Sequence, residues 1–173
     1  MPDLKPISKD AVEAAMEKAE RYRLLNEPRE AESICRDVLC VSPGHQPATI
    51  MLLLSLTDQF GKGYGVDLGE VRQLVPELQG DYERAYYTGV ILERWGKSRP
   101  ATGAPADAVN EWLRCAMESY AQAEPIRPAG NDDAILRWNA CARMIGRTSR
   151  SDTAQAAPTE HQRESFDDEV PMI

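Results

Sequence analysis

The sequence predicts an all-α protein built from stacked antiparallel helix pairs, and three observations lead to this prediction. Apolar residues recur at three- and four-residue spacing through most of residues 9–146, as on one buried face of a helix. Prolines and glycines interrupt this pattern at intervals that leave room for about seven helices. A small residue followed by apolar residues at helical spacing and a closing proline occurs twice, at 31–43 and at 116–128. The chain therefore has the pattern of a helical repeat protein.

The first two predicted helices form one pair. Ser8 or Asp10 is expected to cap a helix that ends near Leu25. Pro28 suits the first turn of the second helix, which is expected to end near Val41. The stripes that these helices are expected to bury consist of Val12, Ala15, Met16, Ala19, Tyr22 and Leu25, and of Ala31, Ile34, Cys35, Val38 and Leu39.

The third predicted helix, over 46–60, is apolar on most of its circumference, which predicts a position in the middle of the stack. Three glycines follow between Gly61 and Gly65. A phosphate-binding loop would have to follow a strand, and the sequence contains no convincing strand, so a flexible connector is the favoured interpretation. The fourth helix, over 68–75, is short and is expected to end at Pro76.

The fifth predicted helix begins at Gly80 and Asp81, with the aspartate as its cap, and ends near Trp95. Residues 97–106 are expected to be the least structured interior segment. A sixth helix should then run over 107–124 until two prolines stop it.

The two ends of the chain are expected to lack regular structure. Residues 1–8 contain two prolines and should form a flexible leader. Asn131 is expected to cap a seventh helix that ends near Ile145. Residues 147–173 contain three basic and six acidic residues, and we expect a disordered acidic tail. Its most acidic part, a candidate linear motif, is Phe166, Asp167, Asp168 and Glu169; the alternative is a tail that only adds solubility.

The repeated pattern resembles that of tetratricopeptide repeat (TPR) proteins, whose unit is a pair of antiparallel helices. The resemblance rests on Ala19, Tyr22, Ala31, Cys35, Val38 and Pro43 in the first unit, and on Gly89, Ala116, Tyr120, Ala123 and Pro128 in the third. It implies a right-handed superhelix with repeats at about 9–43, 45–79 and 81–128 and a capping helix at 131–146. The second repeat is degenerate. The Asn-Asp-Asp start at Asn131 and the Trp-Asn pair ending at Asn139 are similar to bacterial members of this class.

The resemblance also implies a groove lined by the first helix of each pair. The groove positions are Glu13, Met16, Glu20, Arg23, Ile50, Leu54, Asp58, Tyr86, Val90, Glu93, Arg94 and Asn139. Met16 and Leu54 stand where some family members place polar residues that clamp a C-terminal carboxylate. A helical or extended apolar segment of a partner protein is therefore the expected ligand. The alternative is that Ile50 and Leu54 are buried between helices and the groove binds nothing.

Composition narrows the function classes. A net charge of −8 disfavours binding to nucleic acid and favours a basic partner. The longest apolar run, 50–54, is too short for membrane insertion, and we expect a cytoplasmic protein. The four cysteines lack the close spacing of a zinc site and are expected to be reduced core thiols; a disulfide framework is the alternative.

Candidate catalytic groups are scarce. His45 lies in a predicted turn and His161 in the predicted tail, so no His-based metal pair or catalytic triad can be assembled. Asp132 and Asp133 are adjacent on a helix and suit its N-terminus better than acid–base catalysis. We expect no enzymatic activity, no cofactor and no metal. The predicted function is a protein-binding adaptor or scaffold, and the alternative is an obligate structural or assembly subunit; the oligomeric state is left open.

Overall fold

The computed structural model describes residues 3–155, and within this range the protein is helical and contains no strand. The helices are α1 (Val12–Leu24), α2 (Pro28–Val41), α3 (Gln46–Thr57), α4 (Leu68–Arg72), α5 (Asp81–Ser98), α6 (Ala106–Ala123) and α7 (Asp133–Gln155). Short 3-10 turns lie at Lys9–Ala11, Val75–Glu77, Pro100–Thr102 and Glu124–Ile126. The prediction of an all-α fold with seven helices is confirmed for this part of the chain.

Consecutive helices pack as pairs, and alternate helices also touch. α1 packs on α2 and α2 on α3, while α5 packs on α6 and α6 on α7. Because only residues 25–27 connect α1 to α2, these two helices run in opposite directions. Contacts also join α1 to α3 and α3 to α5. The helices α1, α3 and α5 are thus neighbours in space, although a whole helix separates each of them in sequence.

Two large apolar clusters fill the interior. The first joins α1, α2, α3 and α5 through Leu53, Leu56 and Ile91, which are almost completely buried. The second joins α5, α6 and α7 around Leu113 and Tyr120. Leu54 and Tyr87 pack against both clusters, so α3 and α5 connect them into one core.

The first helix pair follows the sequence prediction, with two corrections. Pro28 occupies the first turn of α2, where its missing N–H costs no helical hydrogen bond. Leu25 was expected to be buried, but its side chain is 62% exposed because α1 ends at Leu24 and the backbone turns away there. Ser8 precedes the first 3-10 turn but its side chain makes no capping hydrogen bond. The leader is not wholly separate from the domain, since Ile7 packs against the small apolar cluster of Val12, Val38 and Ala48.

The middle of the chain contains two caps that the sequence analysis missed. His45 accepts a hydrogen bond through Nδ1 from the Ala48 N–H, at 3.2 Å, and so caps α3. Asp67 caps α4 by accepting from the Glu70 N–H at 2.9 Å. The Gly61, Gly63 and Gly65 backbones have φ between +72° and +80°. These left-handed conformations explain the glycines as turn residues that redirect the chain after α3 has ended.

Several predicted helix boundaries are wrong. α3 ends at Thr57, before the predicted Phe60, and α4 ends at Arg72. Gly80, with φ +93°, holds the N-cap position of α5, and Asp81 is the first helical residue instead of the cap. Lys97 belongs to α5, so the predicted irregular segment begins two residues later, at Arg99.

The ends of α7 differ in how well they were predicted. The Asn131 side chain accepts a hydrogen bond from the Asp133 N–H at 2.9 Å, but α7 begins at Asp133, so the N-cap position is Asp132 and the predicted cap lies one residue too early. The helix continues to Gln155 instead of ending near Ile145, so the predicted disorder is wrong for 147–155. The candidate motif at 166–169 lies outside the described residues. No helix within 3–155 combines the length and the apolar character that crossing a membrane requires.

The crossing of α5 and α6 depends on Gly89, the small residue that the repeat pattern places there. A Cβ atom at this position would lie 2.5 Å from Cε1 of the buried Tyr120 ring. We predict that Gly89→Ala destabilises the fold by about 1–3 kcal/mol in urea unfolding, because overpacking outweighs the better helix propensity of alanine.

Gly146 provides the matched control for this prediction. It lies inside α7, and a Cβ atom there would meet nothing within 4 Å. Gly146→Ala should therefore stabilise the protein by up to about 1 kcal/mol. Equal effects of the two substitutions would contradict the assigned crossing.

Candidate partner-binding face

Polar side chains from α1, α3, α5 and α7 meet along one side of the helix stack, which we call the odd-helix face. Its members are Arg23 of α1, Asp58 directly after α3, Tyr86 and Arg94 of α5, and Arg137 of α7, with the buried Glu93 of α5 beneath them. Five of these six residues were predicted groove positions. Arg137 was missed, although its spacing of one helical turn from the buried Cys141 places both on the inner side of α7.

Asp58 connects three helices. Its Oδ2 accepts a hydrogen bond from Arg23 Nε at 2.6 Å, and its Oδ1 accepts from Arg94 Nη1 at 2.5 Å. The same Arg94 nitrogen also donates to Thr57 Oγ1 at 2.8 Å and to the Leu54 carbonyl at 3.2 Å. Burial lowers the pKa of the Arg94 guanidinium, and the charge of Asp58 opposes that shift. One carboxylate thus holds two part-buried arginines, and through them α1, α3 and α5, together.

Glu93 forms a second, deeper cluster, which we call the Glu93 cluster. Its carboxylate accepts a hydrogen bond from the Tyr120 hydroxyl at 2.6 Å and pairs with Arg137 Nη1 at 3.0 Å and with Lys97 Nζ. Arg137 Nε also donates to the Tyr86 hydroxyl at 3.0 Å. Every partner lies on α5, α6 or α7, so this cluster fixes how the three helices dock.

The protonation state of Glu93 follows from these partners. Burial alone would raise the pKa of its carboxyl, but the hydrogen bonds from Lys97 and Tyr120 and the charge of Arg137 outweigh burial, so the pKa is lowered. The pKa of the Tyr120 hydroxyl is raised by burial and by Glu93. The two cations and the neutral phenol offset the cost of burying the Glu93 carboxylate. The cluster therefore stabilises the docking of these helices.

The remaining predicted groove residues differ in exposure. Val90 and Glu93 are 1% and 2% exposed, which corrects the prediction that they line an open groove: both lie beneath the surface because α6 and α7 cover this side of α5. Glu13 and Glu20 are exposed on α1. The half-buried positions are Met16, Ile50, Leu54, Tyr86 and Asn139.

Aromatic rings extend the face along α5. Tyr86 stacks on Tyr82 with a centroid distance of 5.6 Å, and it tilts against Tyr120 at 5.9 Å. The Tyr82 hydroxyl is buried, with the Asn131 side chain beside it. Half-buried tyrosines beside paired arginines provide both apolar contact area and hydrogen-bonding groups, as protein-binding surfaces commonly do.

The two buried thiols, Cys35 and Cys141, pack in the core and are poorly suited to act as nucleophiles. All four cysteines are free, and Cys35 and Cys141 are buried, whereas Cys115 is half-buried and Cys40 is exposed, so the prediction of four core thiols is wrong for Cys40. Burial, together with Glu32, raises the pKa of Cys35 to about 12, and burial with Glu93 raises that of Cys141 to about 11. Both thiols therefore remain protonated near neutral pH and are poor nucleophiles. Among residues 3–155 no group of three or more His, Cys, Asp or Glu side chains is placed to hold a metal ion.

Comparisons with protein-family models, with curated proteins and with solved structures gave no match for this chain.

Proposed function

We propose that this protein is a non-enzymatic TPR-like adaptor whose odd-helix face binds a helical or extended segment of a partner protein. The observation that carries the proposal is the convergence of α1, α3, α5 and α7 side chains on one face, with half-buried apolar and aromatic residues beside paired charges. In a right-handed superhelix of helix pairs this face is the concave one.

The chemistry of the face suggests how a segment would bind. Ile50, Leu54 and Tyr86 provide half-buried apolar surface for the anchor side chains of the segment. Glu20 is exposed at the α1 edge and would attract a basic residue of the partner. Arg23 and Arg94 are already paired with Asp58. Their role in the proposal is therefore to hold the helices of the face together, and not to bind the ligand.

The test is capture of partners with the full-length chain from its native cell, quantified by mass spectrometry. We expect a stoichiometric partner with the wild type and at least a tenfold loss of it with the double variant Glu20→Lys, Ile50→Ser. Such a loss corresponds to about 1.4 kcal/mol of binding free energy.

The matched control is Glu30→Lys, which makes the same charge change at an exposed position of α2 and should retain the partner. Circular dichroism would show that all variants remain folded. Retention of the partner by the double variant, or recovery of no stoichiometric partner by the wild type, would refute the proposal.

A second candidate function, an obligate assembly subunit, is supported by a different surface. Leu24 and Leu25 at the end of α1 are both largely exposed, and adjacent exposed leucines are typical of surface that another subunit covers. Sedimentation of the isolated chain separates the two candidates: a free adaptor stays soluble and folded, whereas an obligate subunit aggregates or loses its tertiary structure.

A further inference from the structure

The first and the last described helices each have an inner side and an outer side. α1 packs on α2 and α3, and α7 packs on α6. Ala19 of α1 and Cys141 of α7 are completely buried and mark the inner sides of these two helices. The outer sides point away from these residues, and their sequences are complementary.

The outer side of α1 carries two glutamates and a leucine in one line, which we call the acidic stripe. Glu13, Glu17 and Leu24 are all exposed. Their spacings of four and seven residues place them above one another on the helix surface. Leu24 is 79% exposed and is followed by the exposed Leu25. The stripe thus begins with negative charge and ends in apolar surface.

The outer side of α7 carries the opposite charge, in a line that we call the basic stripe. It consists of Leu136, which is 62% exposed, Ala140, and the exposed Arg143. Trp138, beside this line, is also exposed. Residues 134–146 contain two arginines and no acidic residue, although the chain has a net charge of −8. The small side chain of Ala140 lets another helix approach this line closely.

The two stripes match when the helices that carry them run antiparallel. In the acidic stripe Glu17 lies seven residues before Leu24, and in the basic stripe Arg143 lies seven residues after Leu136. Seven residues correspond to about 10.5 Å along a helix axis. An antiparallel pair that places Leu24 opposite Leu136 therefore also places Glu17 opposite Arg143.

The other charges on the outer side of α1 are compatible with this register. Lys18 and Arg21 are exposed there. In the same antiparallel alignment they lie opposite Ala142 and Asn139, which are uncharged. Neither of these two cations is thus placed directly opposite an arginine of α7.

We propose that the acidic stripe of one copy of this chain docks antiparallel on the basic stripe of a second copy, with Leu24 against Leu136 and Glu17 against Arg143. The leucines are removed from water and the charges pair. Because the contact joins two different surfaces, each copy keeps one stripe for a further neighbour. The assembly can therefore grow as an open chain or close into a ring.

Charge favours this head-to-tail contact over the two symmetric contacts. A contact between two acidic stripes would bring Glu13 and Glu17 of one copy close to the same glutamates of the other, which is unfavourable. A contact between two basic stripes would leave Arg143 without an acidic partner, because residues 134–146 contain none. Only the mixed contact pairs opposite charges while it also covers both leucines.

This inference is independent of the function proposed for the odd-helix face, and the variants that test it leave Glu20 and Ile50 unchanged. For the alternative function, an obligate subunit, it names a second copy as the molecule that covers Leu24. A dilute chain that stays folded as a monomer would refute the obligate subunit but not the head-to-tail contact.

The experiment is sedimentation velocity of the full-length chain over a concentration series, at about 0.15 M salt, where net charge is screened beyond about 8 Å. For the wild type we expect a sedimentation coefficient that rises with concentration and falls again on dilution. Leu24→Lys blocks one stripe and Leu136→Glu blocks the other, so each variant alone should stay monomeric. An equimolar mixture of the two should form a dimer and nothing larger, because each variant retains the stripe that the other lacks.

The matched control is Ile126→Glu, which places a charge on another exposed apolar residue and should associate like the wild type. Circular dichroism would show that every variant is folded. A wild type that stays monomeric, a mixture that stays monomeric, or a loss of association with Ile126→Glu would each overturn the proposal. Association of Leu136→Glu alone or of Leu24→Lys alone would also overturn it, in favour of a symmetric contact.

A charge swap tests the register. Glu17→Arg and Arg143→Glu should each weaken association about tenfold, since each replaces an attraction by a repulsion. The chain that carries both substitutions has the pair reversed and should regain the affinity of the wild type. Failure of the double variant to recover would refute the pairing of Glu17 with Arg143.

Discussion

Replacing Tyr120 by alanine is expected to lower the free energy of unfolding by about 4 kcal/mol, because a large buried ring is lost from the core. The ring is 1% exposed and lies directly against Gly89 at the crossing of α5 and α6. Its hydroxyl also donates to Glu93. The variant therefore loses packing at the crossing and one hydrogen bond to a buried carboxylate. Urea unfolding followed by circular dichroism measures the loss.

Two further variants separate these contributions. Tyr120→Phe keeps the ring and removes only the hydroxyl, so it should cost about 1–2 kcal/mol. Tyr64→Ala removes an exposed ring and should change stability by less than about 1 kcal/mol. Tyr120→Ala also leaves a cavity beside Gly89, so Gly89→Ala should not destabilise the protein in that background. The effects of the two substitutions on the free energy of unfolding should then be non-additive in a double-mutant cycle. Additive effects would contradict the direct contact between the two residues.

Replacing Glu93 by glutamine is expected to destabilise the protein by about 3 kcal/mol at neutral pH, because breaking a buried ion pair leaves its cations unpaired. Arg137 and Lys97 both lose their carboxylate partner, while both remain about one-third exposed and partly hydrated. That hydration places the expected cost at the lower end of the range for buried pairs. Glu118→Gln, at an exposed position of α6, is the control and should stay within about 0.5 kcal/mol of the wild type.

The pH dependence of this effect has a definite sign. The pKa of Glu93 is lowered in the folded protein from its ordinary value of 4.5. A carboxyl group with a lowered folded pKa stabilises the protein above its unfolded pKa and loses that contribution as the pH falls through the folded pKa. The difference in stability between wild type and Glu93→Gln should therefore be greatest near pH 7 and shrink below about pH 4.5. A difference that grows on acidification would contradict the assigned charge state.

The sequence by itself determined most of the helical architecture. Apolar periodicity located all seven helices, and Pro28 predicted the first residue of α2. The repeat pattern identified Gly89 and Tyr120, which do meet at a helix crossing. These features are readable because helix formation, proline placement and small crossing residues depend on neighbours within a few residues along the chain. The continuation of α7 to Gln155 was missed because its polar last turns carry no apolar stripe.

Only the tertiary structure decided which of the predicted groove residues face outward and which charges pair. Asp58 bonds to Arg23 and Arg94, which lie 35 and 36 positions away, and Glu93 bonds to Arg137 across 44 positions. Helical spacing places each side chain on a face of its own helix but does not say which helix covers that face. Val90 and Glu93 share the periodicity of a surface stripe, and they are buried because α6 and α7 pack over them. The physical reason is that burial and ion pairing are set by contacts between helices distant in sequence, which local periodicity does not encode.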